Sequence, residues 1–297
     1  MSRGGRPGAG PWRPHWRAYA AEAAGTALLV FLGLSVVIFD FAPHLPLAAL
    51  LPDALARRLL TGFVFGGIGA LIAVSPLGRI SGAHLDPVLS WAFWLAGSLG
   101  ASDAALYTTA QAAGAVAGAA LLPPVWGAAG AAVRYGMSLP AAGPGPAGAV
   151  AGEVAATFAL VGLILWFSGR PALRRFTPAA LPPLVAILVG VEAPWSGTSM
   201  NPARSLGPAL VAHALPVMWI YVLGPGLGAA LAALAAVRPG AVHVAKVGHH
   251  GHDPLGRFHG LAERGPLGAL RRTAQAGRQE PRPPTPTTAP TKARRTE

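Results

Sequence analysis

Two short stretches built on one pattern constrain this chain more than anything else in it. Ser196-Gly-Thr-Ser-Met-Asn-Pro-Ala-Arg-Ser205 and Ser81-Gly-Ala-His-Leu-Asp-Pro-Val-Leu-Ser90 align without a gap at an offset of 115 residues, Ser81 on Ser196, Pro87 on Pro202 and Ser90 on Ser205. Each reads as a helix start, with Asp86 or Asn201 as N-cap and proline at the first helical position. The helix opened by Asn201 is expected to run from Pro202 to about Val211, a length on the order of 15 Å. That is half of a hydrocarbon core about 30 Å thick. Two half-spans with matching starts, flanked by apolar segments, predict a re-entrant pair meeting near the centre of a bilayer.

Composition places the chain in a membrane independently of those motifs. Of 297 residues, 53% are hydrophobic and 11% charged, and the mean hydropathy is +0.47; soluble domains carry about 25% charged residues. The absence of cysteine excludes disulfides and thiolate metal sites. A net charge of +12 is compatible with nucleic acid, but the basic residues sit in the tails and between apolar segments. That distribution fits orientation in a lipid bilayer and attraction to anionic lipid, with no nucleic-acid partner.

Apolar segments cover residues 18–39, 59–74, 104–126, 147–167, 179–191 and 215–237. The first, at about 22 residues, is too long for the apolar core of a signal peptide. The expected fold is therefore an all-α membrane bundle of six spans and two re-entrant half-helices. A repeat organises it: Glu22-x-x-x-Thr26 in span one matches Glu153-x-x-x-Thr157 in span four, and Tyr107 through Gly114-Ala115 matches Tyr221 through Gly228-Ala229. Repeat one covers about 18–126 and repeat two about 147–237, within a channel domain of 18–237. Three crossings per half is an odd number, so the second half must be inverted relative to the first.

Charge orients the bundle. With the N-terminal tail (1–17) inside, four Arg of that tail, Arg79, the three Arg of the 169–177 loop and eleven Lys/Arg of the C-terminal tail (238–297) all lie on one side, nineteen of twenty-three in total. The positive-inside rule then makes both termini cytoplasmic, in a multi-pass protein of the plasma membrane. The C-terminal tail is rich in Gly, Pro, Arg and Thr and is expected to be disordered. Its His249, His250 and His252, with His243 and His259 nearby, could bind a transition metal, but a solvated basic tail is the default reading, and no cofactor or metal is expected.

These motifs carry a resemblance. Over about residues 18–237 the chain resembles the aquaporins, the major intrinsic protein family, in Ser196-Gly-x-x-x-Asn-Pro-Ala-Arg204, in the upstream Ser81-Gly-Ala-His-x-x-Pro87, in the paired glutamates, and in Ala110-Gln-Ala-Ala-Gly-Ala115 with Gly224-Pro-x-x-Gly-Ala229. The likeness implies a bacterial-type channel for water and small solutes, assembled as a homotetramer with one pore per subunit. In the family, the caps and first residues of the two half-helices, here Asp86, Pro87, Val88 and Asn201, Pro202, Ala203, form the pore midpoint. Carbonyls of Gly82, Ala83 and His84, and of Gly197, Thr198 and Ser199, would form a ladder accepting hydrogen bonds from single-file water. Each half-helix would direct about +0.5 of an elementary charge at the midpoint, repelling cations.

The resemblance also implies a selectivity ring of Arg204, Thr198, Val189 and either Phe65 or Gly66. A charged side chain such as Arg204 at membrane depth is costly and by default functional; the alternative is a structural ion pair. Water-selective members commonly place His where Val189 stands, so the ring here is expected to be wider and less polar, with room for glycerol, ammonia or hydrogen peroxide. Glu22 and Glu153 read as buttresses that accept hydrogen bonds from the re-entrant backbone, the alternative being a proton relay. Glu192 aligns with Leu77, has no counterpart in the first half and is left unassigned. His84 is expected to pack beside a half-helix loop, and Gly114, Ala115, Gly118, Gly228 and Ala229 to let helices approach closely.

Asp86 and Val88 depart from the family's Asn-Pro-Ala. Asp caps a helix as well as Asn does. Ionised, however, it sets −1 against the roughly +1 of two helix N-termini, and it donates to water only when protonated. Val88 adds bulk that could crowd the constriction. The main reading is a passive pore without enzyme activity; a non-conducting, structural relative and an ion-coupled transporter are the alternatives. Asp86 further implies weakened discrimination against cations and a pH-dependent conductance. In liposomes, the native chain and Asp86→Asn are expected to differ in proton leak and in the pH profile of water flow; identical profiles reject the inference.

Overall fold

The computed structural model describes residues 14–236, together with Val247 and Pro266. The remainder of both expected tails, with the histidines at 243–259, lies outside the described residues. Among those described there are helices and no strands: α1 (Trp16–Phe41), α2 (Pro46–Leu50), α3 (Ala54–Val74), α4 (Pro76–Ser81), α5 (Pro87–Leu95), α6 (Ala101–Ala120), α7 (Leu122–Ala132), α8 (Gly145–Ser168), α9 (Thr177–Ser196), α10 (Pro202–Val211) and α11 (Met218–Ala236). Five of them, α1, α3, α8, α9 and α11, are long and apolar enough to cross a bilayer singly, and the α6–α7 pair supplies a sixth crossing bent by 74°.

That bend corrects one expectation. The apolar segment 104–126 reads as one continuous span, but α6 stops at Ala120. Pro123 and Pro124 lie in the first turn of α7, where a missing N–H costs no helical bond, so a new helix starts there instead of extending α6. Gly127, at φ 47°, breaks α7 again. The fifth span errs the other way: expected over 179–191, α9 runs on to Ser196 across Pro182, Pro183 and Pro194. Packing against its neighbours holds together a helix that local propensity would have cut short.

Helix pairing follows the repeat. The most extensive contacts are α1 with α6 in the first half, α8 with α11 in the second, and α3 with α9 between the halves. The half-helices are exchanged: α5 packs on α11 as well as α6, and α10 on α6 as well as α11. Glycine permits this spacing. A Cβ on Gly114 would meet the carbonyl oxygen of Ala23, and one on Gly228 that of Val154. The same holds for Gly118 against Ala27. Gly207 of α10 sits in the same way against the Ala115 carbonyl of α6.

The apolar side chains divide into two populations. Leu29, Leu85, Val88, Leu89, Phe93 and Leu165 form a buried cluster at the half-helix junction. Leu71 (69% exposed) and Val191 (68%), with Leu28, Ile187, Leu227 and Leu231, face outward. An outward belt of that extent is stable only against lipid or another subunit. This is a multi-pass membrane protein.

Gly114→Ala is expected to destabilise the bundle by roughly 1–3 kcal/mol, the usual cost of overpacking, because the clash is with backbone that cannot rotate away. Gly67, which has open space at its Cβ position, provides the control. The apparent unfolding temperature in detergent should fall for Gly114→Ala and hold for Gly67→Ala.

Candidate functional site

The site is built on two loops of unusual backbone. Gly82 (φ 94°), Ala83 (φ 53°) and Leu85 (φ 56°) occupy the left-handed region, and so do Gly197 (φ 82°), Thr198 (φ 48°) and Met200 (φ 54°) at the same offset of the repeat. The left-handed conformation costs a non-glycine residue roughly 1–2 kcal/mol, so four such residues persist only where their surroundings hold them. The turn points successive N–H groups away from the half-helix and toward α1 or α8. There they would be buried donors without partners.

Two carboxylates receive them. Glu22 of α1 accepts from the N–H of His84 at 3.0 Å and of Leu85 at 2.7 Å. Glu153 of α8 accepts from the N–H of Ser199 and of Met200, both at 2.7 Å. Both glutamates are fully buried. Tyr107 donates to the Ser81 carbonyl and Tyr221 to the Ser196 carbonyl, each at 2.7 Å. The serine hydroxyls at the loop entrances each accept an N–H, Ala83 onto Ser81 and Thr198 onto Ser196, at 3.1 Å. Within each half-helix start, His84 Nδ1 lies 2.9 Å from Ser90 Oγ, and Ser199 Oγ lies 2.5 Å from Ser205 Oγ.

The repeat is not symmetric in its third donors. Gln111 gives its amide to Glu22 at 2.7 Å and to Ser90 at 3.1 Å. Its counterpart in the second half is Pro225, and there Ser196 donates to Glu153 at 2.5 Å instead. Glu192, 7% exposed, lies against Gly152 with neither carboxylate oxygen bonded to a described residue.

The half-helix tips meet. Asp86 caps α5 by accepting the Val88 N–H at 3.0 Å, and Asn201 caps α10 by accepting those of Ala203 and Arg204 at 2.9 and 3.2 Å. The Asn201 amide then donates to the Leu85 carbonyl of the opposite loop at 2.8 Å. Pro87, Val88, Pro202 and Ala203 are buried behind the tips. Val88 lines neither cavity described below; it joins the apolar cluster.

Two cavities flank the tips. One, of about 110 Å³, is lined by His84, Asp86, Asn201, Leu29 and Leu181. The other, of about 290 Å³, is lined by Arg204, Thr198, Val189, Arg58 and Phe41. Phe65, Val185, Ser199 and Met200 border both, so the two spaces adjoin. Of the two alternatives on span two, Phe65 faces both cavities. Gly66 borders only the smaller one and packs against Pro182 and Val185.

Arg204 is 6% exposed and forms no ion pair among the described residues. Its guanidinium donates to the Ser138 hydroxyl and stands 6.0 Å from the centroid of the Phe65 ring. Ser138 also approaches the Gly197 carbonyl, at 3.4 Å. Sequence reading missed this serine, which sits in a loop between the repeats without motif or counterpart. It also missed Gln111, although an amide in an otherwise apolar span is a readable signal. The Gly82 carbonyl, one rung of the expected ladder, accepts the Val247 N–H at 2.9 Å.

Comparison with known proteins accords with this geometry. The family described as Major intrinsic protein matches residues 12–236. The chain is 36% identical to the lens fiber major intrinsic protein of Gallus gallus over 229 residues, covering 74% of this chain and 79% of that protein. It is 34% identical to Aquaporin TIP2-1 of Arabidopsis thaliana over 226 residues (73% and 85%). It is 33% identical to the Glycerol uptake facilitator protein-like 6 of Lactiplantibacillus plantarum over 225 residues (74% and 96%). The X-ray structure of the aquaglyceroporin from Plasmodium falciparum superposes with a TM-score of 0.63 at 18% identity, covering 74% of this chain and 95% of that one, and shares the fold.

Glu153→Gln keeps the side chain's shape but presents an NH2 group to backbone donors. The expected loss is about 1–3 kcal/mol, the cost of leaving a buried donor unpaired, read as a lower unfolding temperature in detergent with permeability falling in parallel. If the glutamate instead relays protons, proton flux will fall while thermal stability stays native.

Proposed function

This chain belongs to the major intrinsic protein family, and from that premise we propose that it is a passive transmembrane channel conducting water and small neutral solutes such as glycerol, ammonia or hydrogen peroxide. The observation that carries the reading is the pair of adjoining cavities beside the abutting tips of α5 and α10, with Arg204 lining the larger one. Solute passes between lipid-insulated walls without a chemical step. In this reading the carbonyls of residues 82–84 and 197–199 accept from water. Arg204, Thr198, Val189 and Phe65 form the selective constriction, and the dipoles of two half-helices oppose cations at the midpoint.

Val189 makes that constriction aliphatic where a polar side chain would narrow it, which favours passage of solutes larger than water. Support for the wider range comes from a relative named as a glycerol uptake facilitator. Asp86 places a carboxylate where the two helix dipoles converge, which makes the midpoint barrier to cations weaker than two asparagines would. The outward apolar belt supports a homotetramer, and the basic residues at the chain ends support cytoplasmic termini at the plasma membrane.

Stopped-flow permeability of reconstituted vesicles tests the proposal. Water, glycerol and hydrogen peroxide should each cross faster than in empty vesicles, and Val189→His should lower glycerol permeability about tenfold while sparing water, the scale expected of a pocket-wall change. Shrinkage at the rate of empty vesicles would leave the structural role.

A further inference from the structure

Four of the twenty-three Lys and Arg residues, Arg57, Arg58, Arg134 and Arg204, stand apart from the basic tails and loops that orient the chain. The fold gathers them around one space. Arg58 and Arg204 line the cavity of about 290 Å³. Arg57 lies 5.1 Å from the ring centroid of Phe41, a residue of the same wall, and Arg134 follows Val133, another. That lining contains no aspartate or glutamate, and neither Arg58 nor Arg204 has an ion-pair partner among the described residues. The Arg204 guanidinium is bonded to the neutral hydroxyl of Ser138, and the Nε of Arg58 is buried without an acceptor. The carboxylates packed behind the wall are turned elsewhere. Asp40 accepts from Thr61, Glu153 accepts from the second loop, and Glu192 lies against Gly152 of α8.

From this arrangement we propose that the larger cavity is a binding site for a short-chain monocarboxylate, with its carboxylate on the guanidiniums of Arg58 and Arg204 and its alkyl end against Val37, Val185 and Val189, and that the bound anion blocks water there. The block, unlike the binding, rests on the reading of this cavity as part of a conduction path. Two unpaired like charges facing one poorly hydrated space repel each other, and each bears a desolvation cost. A single negative charge between them relieves both. The guanidinium fork matches the two oxygens of a carboxylate, whereas chloride has no second oxygen to fill it. A phosphate or sulfate would turn its remaining oxygens onto an aliphatic wall that cannot bond them. Asp86 lines the adjoining smaller cavity, and an ionised cap there opposes the passage of a second negative charge. The anion is therefore held as an occupant and is not carried through.

Acetate, fully ionised at about pH 7.5, is the probe. With the full-length protein in detergent, replacing sodium chloride by sodium acetate at constant ionic strength should raise the unfolding temperature along a saturable curve. Arg58→Gln should raise the half-saturating concentration at least about tenfold, the loss of one charge-assisted pairing. Arg58→Lys keeps the charge without the fork and should fall between the two. A rise that is linear in acetate and shared by Arg58→Gln is the general effect of an excluded salt and overturns the site, as does equal stabilisation by chloride. Should Arg58→Gln fail to fold, the native curve and Arg58→Lys decide alone. In proteoliposomes with acetate equal on both sides and sucrose as osmolyte, water permeability should fall roughly tenfold at ten times the half-saturating concentration, as mass action requires of a full block. Undiminished flow with acetate bound overturns the block. Flow no faster than in empty vesicles without acetate removes the channel reading and the block with it, while the detergent assay still decides the site.

Discussion

The four N–H groups of His84, Leu85, Ser199 and Met200 are buried donors that need acceptors inside the bundle. Glu22 and Glu153 are their acceptors, and the rest of the architecture depends on that pairing. Left-handed backbone at Ala83, Leu85, Thr198 and Met200 is unfavourable residue by residue. It becomes the lowest available arrangement because each turn delivers its donors to a carboxylate fixed on a long helix. The carboxylates in turn are tolerable in an apolar interior only because several donors converge on each. Loop and acid stabilise one another, and the half-helix tips are held at the middle of the bundle as a result.

The pseudo-twofold repeat distributes this support with small inequalities. Gln111 braces the first loop from α6, whereas Ser196 braces the second from its own entrance. The caps differ in kind as well: Asp86 can only accept when ionised, while Asn201 accepts from its own helix and donates across to Leu85. The two halves thus share a backbone frame but present different chemistry to the space between them. A charge introduced at the Asp86 cap acts where two helix N-termini converge, the point at which it counts most against their combined field.

Arg204 illustrates how a costly group is made tolerable. Buried without an ionic partner among the described residues, it is held by a neutral hydroxyl from Ser138 and by the face of Phe65. Neither neutralises it, so its charge remains directed into the cavity it lines. The loop carrying Ser138 fixes this cation, which lines that space together with Arg58.

The spans, the inverted repeat, the two half-helices and the glutamates opposite them were legible in the amino-acid order, because each leaves a local mark: apolar length, a cap followed by proline, an acid one turn from a threonine. Helix α10 ends at Val211, as its cap and length imply. Tertiary structure alone decided the continuation of α9 past its prolines, the turning of Val88 into the core, the choice of Phe65 over Gly66 to face both cavities, and the meeting of Ser138 with Arg204. These depend on which surfaces meet once the helices have packed. Spacing along a chain encodes which face of a helix a residue occupies, but not which distant segment will lie against that face.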